Sequence, residues 1–305
     1  MSEYLRQKGD INAWPLLTDP ERETTLQQIK TDATKWMPGA RHARRVASTV
    51  NATFALVCKN AVKEIDAVTR AVEASGDLFA DYRVIAVESG STDGTDSAIV
   101  SWGKRNRRVK AAIKKIARTQ VREENIANAR NVYIDIYNTP AYSDSGHLIV
   151  VDCDFAYGWQ PEIVSSCFVE SAWGACCANG VAGVAPYFYH WDMYALRTRK
   201  WPIGYNAMRD VYGHKDGQPV TDMMAQGLLY DAGDTWEQAT SCFGGLAIYD
   251  RKAISGCSYS GRDRTGAVDC EHVHFNECIR ANNHTLFINP AAFIRYPVSI
   301  LWNKW

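Results

Sequence analysis

The chain has 305 residues, 46% hydrophobic and 22% charged, and its 34 basic and 34 acidic side chains give a formal net charge of zero. That length is enough for one large α/β domain or two small ones with a sizeable core, and the composition excludes a disordered chain. The neutral balance excludes a global pull toward nucleic acid or membrane, so any such partner must be met by a local cluster.

In chain order, residues 1–50 read as an N-terminal helical extension, with a helix over Pro20–Trp36 and a basic knot at Arg41-His42-Ala43-Arg44-Arg45. Thr53 to Cys58 is a compact apolar strand, and Ala61 to Ala74 is helix-like. Tyr82 to Val87 is a second strand, which runs into the small-residue turn Glu88-Ser89-Gly90-Ser91-Thr92-Asp93-Gly94-Thr95. Helices are expected over Asp96–Lys104 and Glu123–Tyr137, then a buried strand over His147–Val151. Strands alternating with helices predict a mostly parallel sheet covered on both faces, with ligands beyond the carboxyl ends of the strands. Beyond about 185 the texture becomes aromatic, with Gly and Pro, and 205–235 reads as a long loop or lid. Ser241 to Tyr249 reads as a turn entering a strand, and a helix opens at Asp269 and runs to about Ala281. The two halves, 51–160 and 161–305, are expected to share one sheet in a single large domain.

Nine cysteines are scattered without a Cys-x-x-Cys pair, which excludes a zinc site of the usual spacing. They read as free, small hydrophobes in a reducing, cytosol-like compartment. No apolar run approaches 18 residues, and Met1 to Asp10 contains no apolar signal region. Neither a membrane span nor an export signal is therefore expected, and the expected location is cytoplasmic.

Asp152-Cys153-Asp154 carries the most chemistry. Ionised carboxylates are costly to desolvate, so a pair closing a buried strand is expected to face a cavity, a cation or both. Strand alternation sets Asp152 and Asp154 on one side and Cys153 on the other. Two hard oxygen ligands suit Mg²⁺ or Mn²⁺ holding a substrate diphosphate. Alone, the motif also reads as a loop whose aspartates cap the next turn. The turn after Glu88 supplies an acceptor for ribose or base edges and a helix start that favours anions.

Four motifs occur in order: Glu88, Ser91-Thr92-Asp93-Gly94-Thr95, Ala129-Arg130-Asn131 and Asp152-Cys153-Asp154. Together, over roughly 53–160, they resemble the nucleotide-sugar glycosyltransferases of the GT-A fold, a Rossmann-like α/β architecture. Glu88 stands where many relatives carry Asp. The resemblance implies donor contacts from Asn60, Glu88, Ser91, Asp93, Arg130 and Asp152. It also implies a Mn²⁺ or Mg²⁺ ion on Asp152 and Asp154 that offsets charge on the departing nucleoside diphosphate, with a UDP- or GDP-linked sugar as the donor.

The second half is expected to supply the acceptor site and the base. Asp269-Cys270-Glu271-His272-Val273-His274 packs two carboxylates and two imidazoles at a helix start. Helix capping explains the acids but not the histidines. By the resemblance, Asp269 or Glu271 takes the acceptor proton in an inverting displacement, and His272 or His274 adds a metal ligand. Trp191, Asp192, Gly244 and Gly245 are the expected acceptor contacts. The run Lys104 to Arg122 holds nine Lys or Arg residues and reads as a solvated helix face, or as a phosphate-tracking surface. The expected activity is transfer to a hydroxyl of a saccharide or glycan. Its alternatives are glycosylation of hydroxymethylated pyrimidines in DNA, as in phage-type enzymes, a non-catalytic nucleotide-sugar-binding module, and an unrelated Mg²⁺ phospho- or nucleotidyltransferase.

Overall fold

The computed structural model describes residues 39–114, 116, 119–156, 158–184, 187–202, 230 and 233–296. The helix expected over Pro20–Trp36 and nearly all of the loop expected over 205–235 lie outside the described residues. One short helix, α1 (Ala40–Ala47), leads into β1 (Asn51–Cys58). There follow α2 (Ile65–Gly76), β2 (Asp81–Glu88), α3 (Thr95–Arg105), β3 (Val109–Ile113), α4 (Arg122–Tyr137) and β4 (His147–Asp152). The second half contributes α5 (Pro161–Ser165), β5 (Ala175–Val184), β6 (Tyr187–His190), β7 (Arg197–Thr198), β8 (Glu237–Ser241), β9 (Leu246–Asp250), α6 (Glu271–Ala281) and β10 (Leu286–Arg295).

The ten strands among the described residues join one sheet in the order β3-β2-β1-β4-β9-β5-β10-β8-β7, with β6 hydrogen-bonded to β5. The pairings among β1 to β4 are parallel, whereas β9 runs antiparallel to both β4 and β5. The expected single α/β domain, a large sheet flanked by helices, is what is found. Strand alternation splits the core into two layers. Ala55, Val57, Ile85, Val87, Leu148 and Val150 meet Tyr133 of α4 and Phe275 of α6 on one face. Phe54, Leu56, Val84, Ile149 and Val151 meet Val68 of α2, Trp102 of α3 and Ile163 of α5 on the other. Because both faces are covered, these strands read as continuous apolar runs.

Two expectations are corrected. Eight of the nine cysteines pair as Cys58–Cys153, Cys167–Cys176, Cys177–Cys242 and Cys257–Cys278, leaving Cys270 free and buried. Buried cysteines brought side by side across strands and helices bond to each other, and such pairing suits an oxidising environment. The expectation of a reducing compartment thereby loses its support. The basic run is also not one helix face. It spans the end of α3, the edge strand β3, whose Lys110 is exposed between buried Val109 and Ala112, and the start of α4. Arg108 there pairs with Asp81 at 3.2 Å and lies over the Tyr82 ring. No helix among the described residues is long and apolar enough to cross a membrane.

Candidate functional site

The parallel register brings three strand ends level, with Cys58 opposite Glu88 and Val57 opposite Asp152. At this rim the chain leaves β1 through Asn60, which holds a left-handed φ of 49°. Its Oδ1 accepts from the Thr92 amide at 3.0 Å, and its own amide donates to Ser91 Oγ at 3.0 Å. The Glu88 carboxylate, on a residue only 3% exposed, accepts from the Ser91 amide. Asp93 accepts from the Thr95 hydroxyl at 2.6 Å, the Thr95 amide at 3.1 Å and the Val62 amide at 3.1 Å. Partial burial works to raise the Asp93 pKa, but these hydrogen bonds outweigh it and hold the carboxyl below its usual range. Asn60, Glu88, Ser91 and Asp93 are thus brought together. They staple the loop after β1 to the loop after β2.

Arg130 is the hub of a second cluster. The inward face of α4 carries it into the core, where its side chain is 6% exposed. Nε donates to Glu271 Oε1 at 3.0 Å, and Nη2 donates to Asp152 Oδ1 at 3.1 Å. Its guanidinium also lies over the rings of Phe243 (5.1 Å) and Tyr259 (5.7 Å). Nη1 is buried without a hydrogen-bond partner of good geometry among the described residues, with the Tyr133 phenol nearby. The Tyr296 hydroxyl donates to Asp152 Oδ2 at 2.6 Å. Burial raises the Asp152 pKa, against the opposing pull of Arg130 and Tyr296. Burial, followed by the charges of Asp152 and Asp154, raises the Tyr296 phenol well above its ordinary value, so both aspartates act on that one hydroxyl.

Gly245 makes this contact possible. Its φ is 86°, and a Cβ there would collide with the Tyr296 hydroxyl and the Phe155 ring. Its carbonyl accepts from the Asp152 amide at 3.0 Å, and the Gly244 amide donates to Asp192 Oδ2 at 3.3 Å. The Gly244 amide thus serves the protein's own Asp192 carboxylate. Trp191 stacks on Tyr296 at 4.1 Å. Asp192 follows with a left-handed φ of 68°. Burial, then the charges of Asp152 and Glu271, pushes the Asp192 carboxyl well above the usual carboxylate range.

At the start of α6, Asp269 is held by Arg197 Nη2, at 2.8 Å to Oδ1 and 3.1 Å to Oδ2. Buried His272 stacks on Phe243 at 3.8 Å, with Nδ1 3.5 Å from the Tyr249 hydroxyl and Nε2 3.7 Å from Glu271 Oε1. Burial and Arg130 depress its pKa well below the ordinary value, so the ring is neutral. His274 is half-buried one turn along the helix from Glu271. Among the described residues no group of three or more His, Cys, Asp or Glu could by itself hold a metal ion. A divalent cation fits here only in the mode typical of Mg²⁺, with one or two carboxylates completed by substrate phosphates and water. The donor set allows that mode, since the Asp152 and Asp154 carboxylates both act on the Tyr296 hydroxyl at the end of β4.

Tyr296 and Arg197 were not foreseen. Tyr296 lies 144 residues from its partner Asp152, and Arg197 lies 72 from Asp269, so no local motif marks either.

No family model matches the chain, and no curated protein matches it. Among solved structures it is similar to a mannosyltransferase, PcManGT, from Pyrobaculum calidifontis in complex with GDP-Man and Mn²⁺. The identity is 13% and the TM-score 0.47, covering 89% of this chain and 69% of that one. It is also similar to residues 1–349 of S. aureus TarS in complex with UDP-GlcNAc, at 14% identity and TM-score 0.47, covering 83% of this chain and 62% of that one. The chain thus spans less than two thirds of that TarS structure. At that degree of overlap it is the residues of this chain that bear on its function.

Proposed function

We propose that the protein transfers a glycosyl group from a nucleoside-diphosphate sugar, UDP- or GDP-linked, to a hydroxyl of a saccharide acceptor, with inversion and with the help of a divalent cation. The observation that carries this reading is the junction of the two halves at Arg130, which links Asp152 at a parallel strand end to Glu271 at the start of α6. The loop stapled by Asn60, Glu88, Ser91 and Asp93 forms the nucleoside side of the site. Arg130 and Tyr296 orient Asp152, and Arg130 opposes the rise that burial imposes on its pKa. The buried Nη1 of Arg130 offers the diphosphate a charge-assisted hydrogen bond.

Asp154 and Asp152 would hold Mn²⁺ or Mg²⁺, which supplies charge neutralisation at the leaving diphosphate. His272 is already committed to Phe243 and Tyr249, which leaves His274 as the histidine more open to a ligand role. On the acceptor side, Trp191 offers an aromatic edge and Asp192 a carboxylate, above the floor of Gly244 and Gly245. Glu271 ties the acceptor half to the donor half through Arg130, and Asp269 fixes Arg197 within the acceptor half.

The test is a panel of UDP- and GDP-sugars with Mn²⁺, Mg²⁺ or EDTA, scored by thermal shift and by nucleoside-diphosphate release with oligosaccharide acceptors. Metal-dependent stabilisation and release by at least one donor are expected, and both should fall more than tenfold in D154A. Donor binding without release would leave a nucleotide-sugar-binding module instead.

A further inference from the structure

A base that takes a proton from an acceptor hydroxyl needs a carboxylate oxygen that is reachable and not already committed to a cation. Three carboxylates of the second half are in question, and their surroundings differ. Asp269 receives Arg197 on both oxygens, at 2.8 and 3.1 Å, and its Oδ1 also accepts from the Cys270 amide at 2.8 Å. Glu271 is buried, with Oε1 on Arg130 at 3.0 Å and Oε2 beside the Cys270 thiol at 3.8 Å. Asp192 is half-buried, and among the described residues its side chain takes only the long 3.3 Å hydrogen bond from the Gly244 amide to Oδ2.

We propose that Asp192 is the catalytic residue that accepts the proton of the acceptor hydroxyl, while Asp269 and Glu271 are positioning residues. This rests on the transfer reading above and deepens it.

The backbone supports the assignment. Asp192 sits in a left-handed conformation at the turn after β6, a strained setting for a residue other than glycine and one that recurs at functional sites. The turn is pinned on both sides of the strain. The Trp191 amide donates to the Gly180 carbonyl at 2.8 Å, Trp191 stacks on Tyr296, and the Ala195 amide donates to the Asp192 carbonyl at 3.0 Å. The charged or ionisable groups acting on Asp192 include the Asp152 carboxyl of β4, the Glu271 carboxyl of α6 and the Arg130 guanidinium of α4. The Tyr249 and Tyr296 phenols and the Cys270 thiol, also within range, are held neutral by burial. Burial first, and the neighbouring carboxyls second, make Asp192 a stronger base than a solvated carboxylate.

In the step itself the acceptor O–H bond breaks and its proton passes to Asp192. The acceptor oxygen bonds to the anomeric carbon, and the bond from that carbon to the phosphate oxygen breaks, its electron pair leaving with the nucleoside diphosphate. Asp192 then returns the proton to solvent.

The test compares D192N, D192E, D269N and E271Q in the full chain, with UDP- and GDP-sugars, Mn²⁺ and oligosaccharide acceptors. Nucleoside-diphosphate affinity is read by thermal shift. Asn tolerates the left-handed region at least as well as Asp, so D192N keeps the turn. The expected result is a fall in kcat of about 100- to 10,000-fold in D192N, with nucleoside-diphosphate affinity within about twofold of wild type. Partial recovery in D192E and loss of the acid limb of the pH–kcat profile in D192N are expected with it. D192N turning over within about threefold of wild type would overturn the assignment while leaving the transfer reading intact. So would D269N or E271Q losing more turnover than D192N at undiminished donor affinity. Wild-type protein that releases no nucleoside diphosphate from any donor would sink the transfer reading itself, and this assignment with it.

Discussion

The loop staple of the first half and the Arg130 cluster between the halves are both polar, yet they are built on opposite principles. In the staple, Asn60, Glu88, Ser91 and Asp93 find partners no more than about thirty residues away, mostly backbone amides at the rim. In the cluster, Arg130 reaches Glu271 across 141 residues, and Tyr296 reaches Asp152 across 144, both away from bulk water. A local, solvent-edged staple can lose a member and be repaired by water. A buried, long-range cluster cannot, because each departure leaves a charge unpaired in a medium that solvates it poorly.

The sharpest way to break the comparison is at its hub. R130A should cost about 3–5 kcal/mol in urea-induced unfolding, since Asp152 and Glu271 then face each other without their cation. R130K should fall between the two, because an ammonium cannot reproduce the two-directional fork. If E271Q combined with R130A is no less destabilised than R130A alone, the cluster is not an electrostatic unit.

A smaller effect tests burial in the second half by pH. Burial lowers the His190 pKa to about 4. Its unfolded value is near 6.5, so on acidification the unfolded chain takes up the proton first. The stability associated with neutral His190 is therefore complete above about pH 6.5 and declines as pH falls toward about 4, by about 3 kcal/mol at most. H190Q should flatten the acid limb of a stability–pH curve. An unchanged limb would mean the ring is solvated and the turn carrying Asp192 looser than described.

The smallest effect belongs to the staple. D93A should cost about 1 kcal/mol, the scale of a lost helix cap at an exposed site. Its sign with pH is that of a depressed carboxylate: the contribution is present above about pH 4, the unfolded value, and is lost as pH falls through the lower folded one. Equal losses in D93A and R130A would erase the distinction between the two regions.

The same contrast explains what could be read from the sequence. β1, β2 and β4 are buried on both faces, so they appear as apolar runs, and the residues at their ends are found simply by reading on. β3 is an edge strand whose charged members hide it in the basic run. β5, Ala-Cys-Cys-Ala-Asn-Gly-Val-Ala-Gly-Val, is buried over 175–181 yet small, and its two valines are too few to announce a strand. Its Gly180 is small because the Gly244 backbone packs against it, a requirement set 64 positions later. Asp152, Arg130 and Glu271 were each recognisable by type and setting. That one guanidinium would hold both carboxylates was not, and neither was the part played by Tyr296, because such partners are chosen by the folded sheet.

The Cys58–Cys153 bond has a topological consequence. It joins neighbouring strand ends separated by 95 positions, and so closes α2, β2, α3, β3, α4 and β4 into a covalent ring. A single backbone cut inside that ring would release nothing. The severed ends would stay tethered through sulfur, and the two rims that meet at Asn60 and Asp152 would remain neighbours until the bond itself was reduced.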